Sequence, residues 1–361
     1  MAGRVTQERH GILLVVSSDR RRGAEVFTSQ LWRGLADRGW PVDAVSLTRS
    51  TGAATVDIPS LTDVDPAQAG RLNTEVLRAL RRRVGDSSPA LVVAMGGPTL
   101  RYTALATAVR PTKLVYFAIG EPRYWLSSQP IIMLNRGLYR MTDKIIAVSE
   151  MTAEQLVGIE PAIRGRVEVA YTGVDDTMFA VSRPPHDGPI RLLFVGSLSR
   201  EKDPLLSVQV LSQLLDAHLR FVGDGPLSGE VQAVAEELGV AARVTLSGSV
   251  DDIRDDLAWA DLLLLTSRTE GLPGVVLEAA AAGVPTVAVD VGGLGEAVSH
   301  GVTGLLVTRE VDDIAAAIKD LAANPRRIAE MGEAARERAR DQFSLEKSID
   351  RFETILRSVV G

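Results

Sequence analysis

The sequence predicts an α/β protein built from two doubly wound, Rossmann-like domains. Three observations predict it. Short apolar runs rich in β-branched residues alternate with amphipathic segments along almost the whole chain. Those runs are continuously apolar rather than alternating, as expected of parallel strands buried on both faces. The alternation breaks at "AVSRPPHDGP" (180–189), a polar, Pro-rich stretch that reads as a linker, and then restarts. At 361 residues the chain is also too long for one ordinary core. We therefore expect a first domain over 1–183 and a second over 184–343, facing a cleft, with a helical segment over 344–361. In open α/β sheets ligands sit beyond the carboxyl ends of the strands.

In the first half, "GILLVVSS" (11–18) and "PVDAVSL" (41–47) read as strands. The segment 25–39 between them reads as a helix. Its Val26, Leu31 and Leu35 share one face, and Gly39 ends it. A helix follows over 71–85, with the cations of Arg81–Arg83 suited to its end. "ALVVAM" (90–95), "KLVYFAIG" (113–120) and "KIIAVS" (144–149) are further strands. "DVD" (63–65) precedes Pro66 and reads as a turn rather than a metal site. In the second half the strands are "RLLFVGS" (191–197), "HLRFVGD" (218–224), "RVTLSG" (243–248), "DLLLLTS" (261–267), "PTVAVD" (285–290) and "GLLV" (304–307). The last stretch of the chain is helical throughout.

Composition narrows the chemistry. There is no cysteine, so disulfides and thiolate chemistry are excluded. The four histidines (His10, His186, His218, His300) show no metal-ligand spacing, so no metal site is expected. Net charge is −6 but uneven: residues 1–185 hold 23 Lys+Arg against 18 Asp+Glu, and 186–361 hold 17 against 28. A basic first half suits an anionic acceptor or a membrane surface. No aromatic residues interleave with the arginine run, which argues against nucleic acid. Met1–Arg9 is polar and no apolar run approaches a membrane span. A cytoplasmic protein is expected, with peripheral contact at the inner membrane face left open.

"RTEGLPGVVLEAAAAGVPTVA" (268–288) carries the chemistry. A strand runs into the loop "RTEGLP", and "GVVLEAAAAG" reads as a helix closed by Gly283, with Pro285 blocking its continuation. Gly271, Leu272, Pro273 and Gly274 thus form a turn at a helix N-terminus, where unpaired N–H groups attract phosphate. Gly271 and Gly274 let a ligand approach the backbone. Glu278 shares a helix face with Gly274 and leans back toward the N-terminus. Its two oxygens can accept from the vicinal hydroxyls of a ribose. Glu270, in the loop, can reach what hangs from the distal phosphate. A lone carboxylate in so apolar a helix is costly to bury without partners, which argues against a merely solvated Glu278.

With "EGLPGVVLE" (270–278) as the centre, and "RRGAEVF" (21–27), "IIAVS" (145–149), "VEVAYTGVDDTMF" (167–179), "LFVGSLSREKD" (193–203), "FVGDGP" (221–226), "RVTLSGSVDD" (243–252) and "GGLGEAVSHGVTGLLV" (292–307) in order along the chain, the chain resembles the family 4 glycosyltransferases of the GT-B fold. Their mark is two glutamates with seven residues between them. The resemblance implies a retaining transferase that moves a sugar from a nucleotide-diphosphate sugar to a hydroxyl acceptor, with neither metal nor cofactor. It implies that Lys202, aided by Arg200, neutralises the departing diphosphate and that Gly196 and Ser197 approach the same phosphates. Glu270 would hold the transferred sugar, Glu278 the ribose, and the backbone near Thr245 the base. Gly23, preceded here by Arg22 where many members have a second glycine, would approach donor or acceptor. The first domain lacks the histidine many members place near the anomeric carbon. Glu121 in "FAIGEPRYW" (117–125) stands at a strand end and is the substitute candidate, while Tyr124 and Trp125 could stack on a sugar or an apolar acceptor. The final helix would cross back onto the first domain. The competing readings are an inactive transferase-like binding subunit and a sugar-nucleotide epimerase or hydrolase.

Overall fold

The computed structural model describes residues 11–51, 54–67, 72–126, 128–184 and 186–360. The polar start Met1–Arg9, His10 and the expected helix start at Arg71 lie outside them. The chain divides into two compact units, Met1–Ala170 with Ile349–Gly361, and Tyr171–Ser348. The division falls before the Pro-rich stretch, not at 183/184. That stretch is tied into the second unit, because Arg183 Nη2 donates to the Ala260 carbonyl at 2.7 Å and its Nη1 to the Gly283 carbonyl at 2.5 Å.

The first unit runs β1 (Ile12–Ser18), α1 (Gly23–Asp37), β2 (Val42–Thr48), α2 (Thr74–Ser87), β3 (Leu91–Met95), α3 (Gly97–Thr107), β4 (Lys113–Ala118), α4 (Pro122–Trp125), α5 (Gln129–Arg140), β5 (Lys144–Ala147), α6 (Glu150–Ile159) and β6 (Val167–Val169). All pairings are parallel, in the order β2-β1-β3-β4-β5-β6. Successive residues Leu13–Val16 and Leu91–Ala94 are buried because helices cover both faces. The order reverses between β1 and β3, so the loops leaving these strands flank this sheet's switch point.

Two helix details differ from the sequence reading. In α1 the buried face carries Phe27, Leu31 and Leu35, at an i, i+4, i+8 spacing, while Val26 is half-buried. Glu25 is buried in its place. Arg81–Arg83 sit inside α2, which continues through Gly85 to a left-handed cap at Ser88 (φ 43°). Asn73 caps its start by accepting from the Glu75 and Val76 N–H groups.

The second unit runs β7 (Ile190–Val195), α7 (Pro204–Ser212), β8 (Ala217–Val222), α8 (Ser228–Glu237), β9 (Val244–Leu246), α9 (Arg254–Trp259), β10 (Leu262–Leu265), α10 (Gly274–Ala281), β11 (Thr286–Val289), α11 (Leu294–Ala297), β12 (Gly304–Val307), α12 (Val311–Ala322) and α13 (Pro325–Gln342). Its strand order is β12-β11-β10-β7-β8-β9, again parallel. Here the reversal lies between β7 and β10. A last helix, α14 (Leu345–Val360), carries the chain back into the first unit. There Phe352 packs on Phe27 and Phe117, and Ile349 meets Gly34, where an added Cβ would lie 2.3 Å away.

Candidate functional site

The second unit's switch point decides which side chains meet. The loop after β7 carries Gly196–Asp203, and the loop after β10 carries Thr266–Pro273. Because β7 and β10 are neighbours, the two loops lie side by side. They are stitched together: Arg268 N–H donates to the Glu201 carbonyl at 2.8 Å, and Thr266 Oγ1 to the Asp203 carbonyl at 2.8 Å. Asp203 holds a left-handed backbone (φ 47°) and accepts from Arg268 Nη2 at 2.7 Å and from Arg309. Arg309 also donates to the Ser267 carbonyl at 2.8 Å.

This scaffold places Lys202 against Glu270. Lys202 Nζ donates to Glu270 Oε1 at 2.7 Å and to Oε2 at 2.8 Å, and Ser267 Oγ donates to Oε1 at 2.6 Å. The Glu270 side chain is 5% exposed and that of Lys202 25%. A buried carboxylate needs such partners to stay charged. The Glu270 backbone is wedged by Gly292 (φ +57°), where an added Cβ would stand 1.8 Å from the Glu270 carbonyl oxygen. Gly293 N–H donates to that carbonyl at 3.2 Å.

From Glu270 the buried Gly271, Leu272 and Pro273 lead into α10, whose N-terminus no side chain caps. Gly274, its first residue, is exposed, and an added Cβ there would meet nothing within 4 Å. The helix mouth is therefore open, with the macrodipole's positive end toward an incoming anion. Glu278 is half-buried one turn along α10. Ser197 and Arg200 are exposed in the β7 loop, and Gly196 is half-buried with its φ at 150°. Behind it, Gly223 packs so tightly that an added Cβ would lie 2.0 Å from the Gly196 carbonyl oxygen. Thr245 is exposed on the edge strand β9, two strands from β7, and stands apart from the Lys202–Glu270 pair.

Gly23 and Glu121 belong to the first unit. Gly23 is exposed at the start of α1, beside that sheet's switch point, with open space around it. Glu121 follows β4, one strand further out, and accepts from Gln155 Nε2 at 3.0 Å. Tyr124 and Trp125 are both exposed and touch edge to face, their centroids 5.1 Å apart. Among the described residues no group of three or more His, Asp or Glu side chains could hold a metal ion.

Sequence reasoning missed Glu25, Arg268 and Arg309. Glu25, in the first turn of α1, is 3% exposed. Ser17 Oγ donates to its Oε1 at 3.0 Å, and its Oε2 has no hydrogen-bond partner. Burial pushes this carboxyl up to about 7, against the pull of Ser17, its own N–H, Arg22 and Arg20. The two arginines act through Asp203, a contact between loops that no local spacing announces.

Comparison with known proteins agrees with this architecture. The model of "Glycosyltransferase Family 4" matches residues 21–177, and that of "Glycosyl transferases group 1" matches 176–338. N-acetyl-alpha-D-glucosaminyl L-malate synthase of Bacillus anthracis is 36% identical over 166 residues, covering 45% of this chain and 43% of that protein. D-inositol 3-phosphate glycosyltransferase 1 of Catenulispora acidiphila is 32% identical over 248 residues, 60% of this chain and 58% of its own. The matched chain thus spans about half the length of these curated relatives. Among solved structures, sucrose-phosphate synthase of Thermosynechococcus elongatus superposes with a TM-score of 0.85 at 20% identity, covering 97% of this chain and 99% of that one. Anabaena HepE, in complex with UDP-glucose, does so at 0.82 and 22% identity, covering 96% and 99%. The two sheets are those of the GT-B fold, and the two family models together span the chain from residue 21 to 338: it belongs to the family 4 glycosyltransferases.

Proposed function

We propose that the chain transfers a sugar from a nucleotide-diphosphate sugar to a hydroxyl acceptor, with retention of anomeric configuration and without a metal. The observation that carries this reading is the Lys202–Glu270 pair, 2.7 Å from Nζ to Oε1, at the open mouth of α10. An ammonium and an uncapped helix N-terminus together suit a diphosphate. A carboxylate beside them suits the hydroxyls of the sugar it carries. In the reaction, the acceptor oxygen bonds to the anomeric carbon as the bond to the diphosphate breaks. The acceptor's proton goes to the departing diphosphate on the same face. Lys202, with Arg200 and the N–H groups of Ser197 and Gly274, stabilises the charge that develops there, while Gly196, its own N–H held by the Val222 carbonyl, lets the phosphates approach the backbone. Glu270 orients the sugar and Glu278 holds the ribose. The backbone near Thr245 meets the base, and Gly23 and Glu121 serve the first unit's ligand. Uracil is the first base to try, as UDP, since Anabaena HepE was solved with UDP-glucose.

The two curated relatives supply an acceptor panel: L-malate and inositol 3-phosphate. The test is nucleotide release from UDP-sugars in the presence of a chelator, with and without each acceptor. Acceptor-dependent release, with the product anomer matching the donor by NMR, supports the proposal. Release at the same rate without acceptor identifies a hydrolase instead, and donor binding with no turnover identifies a binding subunit.

A further inference from the structure

An aspartate just before a helix ordinarily takes an extended backbone and caps the helix with its carboxylate. The residue before a proline is pushed toward extended backbone as well. Asp203, with Pro204 opening α7, follows neither rule. Its backbone is left-handed (φ 47°, ψ 59°), and its side chain makes no capping bond. Among the described residues, Ser88 is the one other non-glycine with a positive φ. Such a conformation persists where the surroundings hold it, and it concentrates at functional sites.

The Asp203 carboxylate, diverted from the helix, is spent on two arginines. Arg268 Nη2 donates to its Oδ2 at 2.7 Å, and Arg309 Nη2 donates to the same oxygen. Arg309 comes from furthest away. It stands two residues beyond the edge strand β12, and β11 separates that strand from β10. Its Nη1 donates to the Ser267 carbonyl at 2.8 Å. Ser267 is the residue whose Oγ holds Glu270, at 2.6 Å. Asp203 is the chain neighbour of Lys202. One guanidinium therefore grips both halves of the Lys202–Glu270 pair, each at one remove. Its N–H groups form a planar fork of fixed geometry, so it sets the spacing of the two groups it bonds. The Asp203 side chain is 13% exposed and that of Arg309 29%, which shelters this ion pair from solvent. Arg268, at 52%, is the weaker hold.

We propose that Arg309 is a positioning residue for the donor. Through Asp203 and Ser267 it fixes Lys202 Nζ against Glu270 in the arrangement that receives the diphosphate. This rests on the proposed donor site and adds to it a residue that acts through Lys202 rather than on the phosphates. The experiment is a double-mutant cycle read by calorimetric titration. UDP, GDP, ADP and dTDP are titrated into wild type. The tightest of them, and its monophosphate, are then titrated into Arg309→Gln, Lys202→Ala and the double variant. Arg309→Gln should lose about tenfold in diphosphate affinity and little in monophosphate affinity. In the Lys202→Ala background the same substitution should change diphosphate affinity by less than about twofold, because the group it positions is gone. A merely structural role would lower the melting temperature and both affinities alike, in either background. Arg268→Gln removes the more exposed hold and should cost about two- to fivefold in diphosphate affinity. It decides the matter if Arg309→Gln does not fold, unchanged affinity then overturning the proposal. Equal diphosphate binding by wild type and Arg309→Gln, or the same loss in both backgrounds, overturns the proposal and leaves the donor site standing. No nucleoside diphosphate binding by wild type overturns the donor site itself, and the proposal with it.

Discussion

At the residue scale two buried carboxylates, Glu270 and Glu25, stand out. Glu270 was legible because it precedes a Gly-Leu-Pro-Gly turn. Its partnership with Lys202 was not, since 68 positions separate the two and only the adjacency of β7 and β10 joins them. Lys202→Ala should leave Glu270 buried with Ser267 alone and cost both stability and donor affinity, whereas Glu278→Ala, on a half-buried residue, should cost mainly affinity. For each, we expect nucleoside diphosphate binding to fall about ten- to a hundredfold, the worth of a lost charged hydrogen bond. Comparing melting curves with titrations separates the two effects. Glu25 was illegible because the polar Thr28 and Ser29 share its buried face, so no apolar stripe marked it. Its carboxyl moves from 4.5 to about 7 on folding, so between these values the native state binds more protons than the unfolded chain. Its contribution is therefore full below about pH 4.5 and declines as pH rises to about 7, by an order of 3 kcal/mol. Denaturant titrations across that window should show the decline, and Glu25→Gln should flatten it. Glu353, held down to about 2 by Trp40, Arg357 and Arg38, acts in a separate window, losing its contribution as pH falls from 4.5 toward 2.

At the scale of elements, α10 matched its reading closely. A helix was expected from Gly274 to a Gly283 stop, and it runs Gly274–Ala281, with Gly283 at φ +72° behind the cap. Pro and Gly punctuation is local chemistry, so it survives folding. Helix α2 runs past the end its sequence suggests, because a run of cations is only a weak stop signal and Gly85 does not break the helix. Two glycines of the site should respond oppositely to alanine. Gly274→Ala meets open space in a helix, so stability should rise by about 0.4–1 kcal/mol while nucleotide affinity drops, because the new methyl covers the helix mouth. Gly292→Ala would drive a Cβ into the Glu270 carbonyl from a left-handed backbone, so both stability and affinity should fall. Thermal melts paired with titrations read both signs. Equal behaviour of the two variants would mean that the open mouth of α10 plays no part in binding.

At the scale of the molecule, the two parallel sheets were legible because strands buried on both faces must be continuously apolar, and the runs show it. Strand order was not, since it depends on crossovers rather than on any run. Yet strand order places the site, setting the β7 and β10 loops side by side. The compact units divide before the Pro-rich stretch for a related reason. A Pro-rich polar stretch resembles a linker until a distant contact, here Arg183 on the carbonyls of Ala260 and Gly283, holds it down. In the proposed reaction the mouth of α10, with Lys202, binds the diphosphate of a nucleotide sugar. The most direct test is calorimetric titration of UDP and UMP into wild type and Lys202→Ala. Wild type should prefer UDP, and the variant should lose about ten- to a hundredfold in UDP affinity with little change for UMP. Equal UDP binding by the two proteins would contradict it.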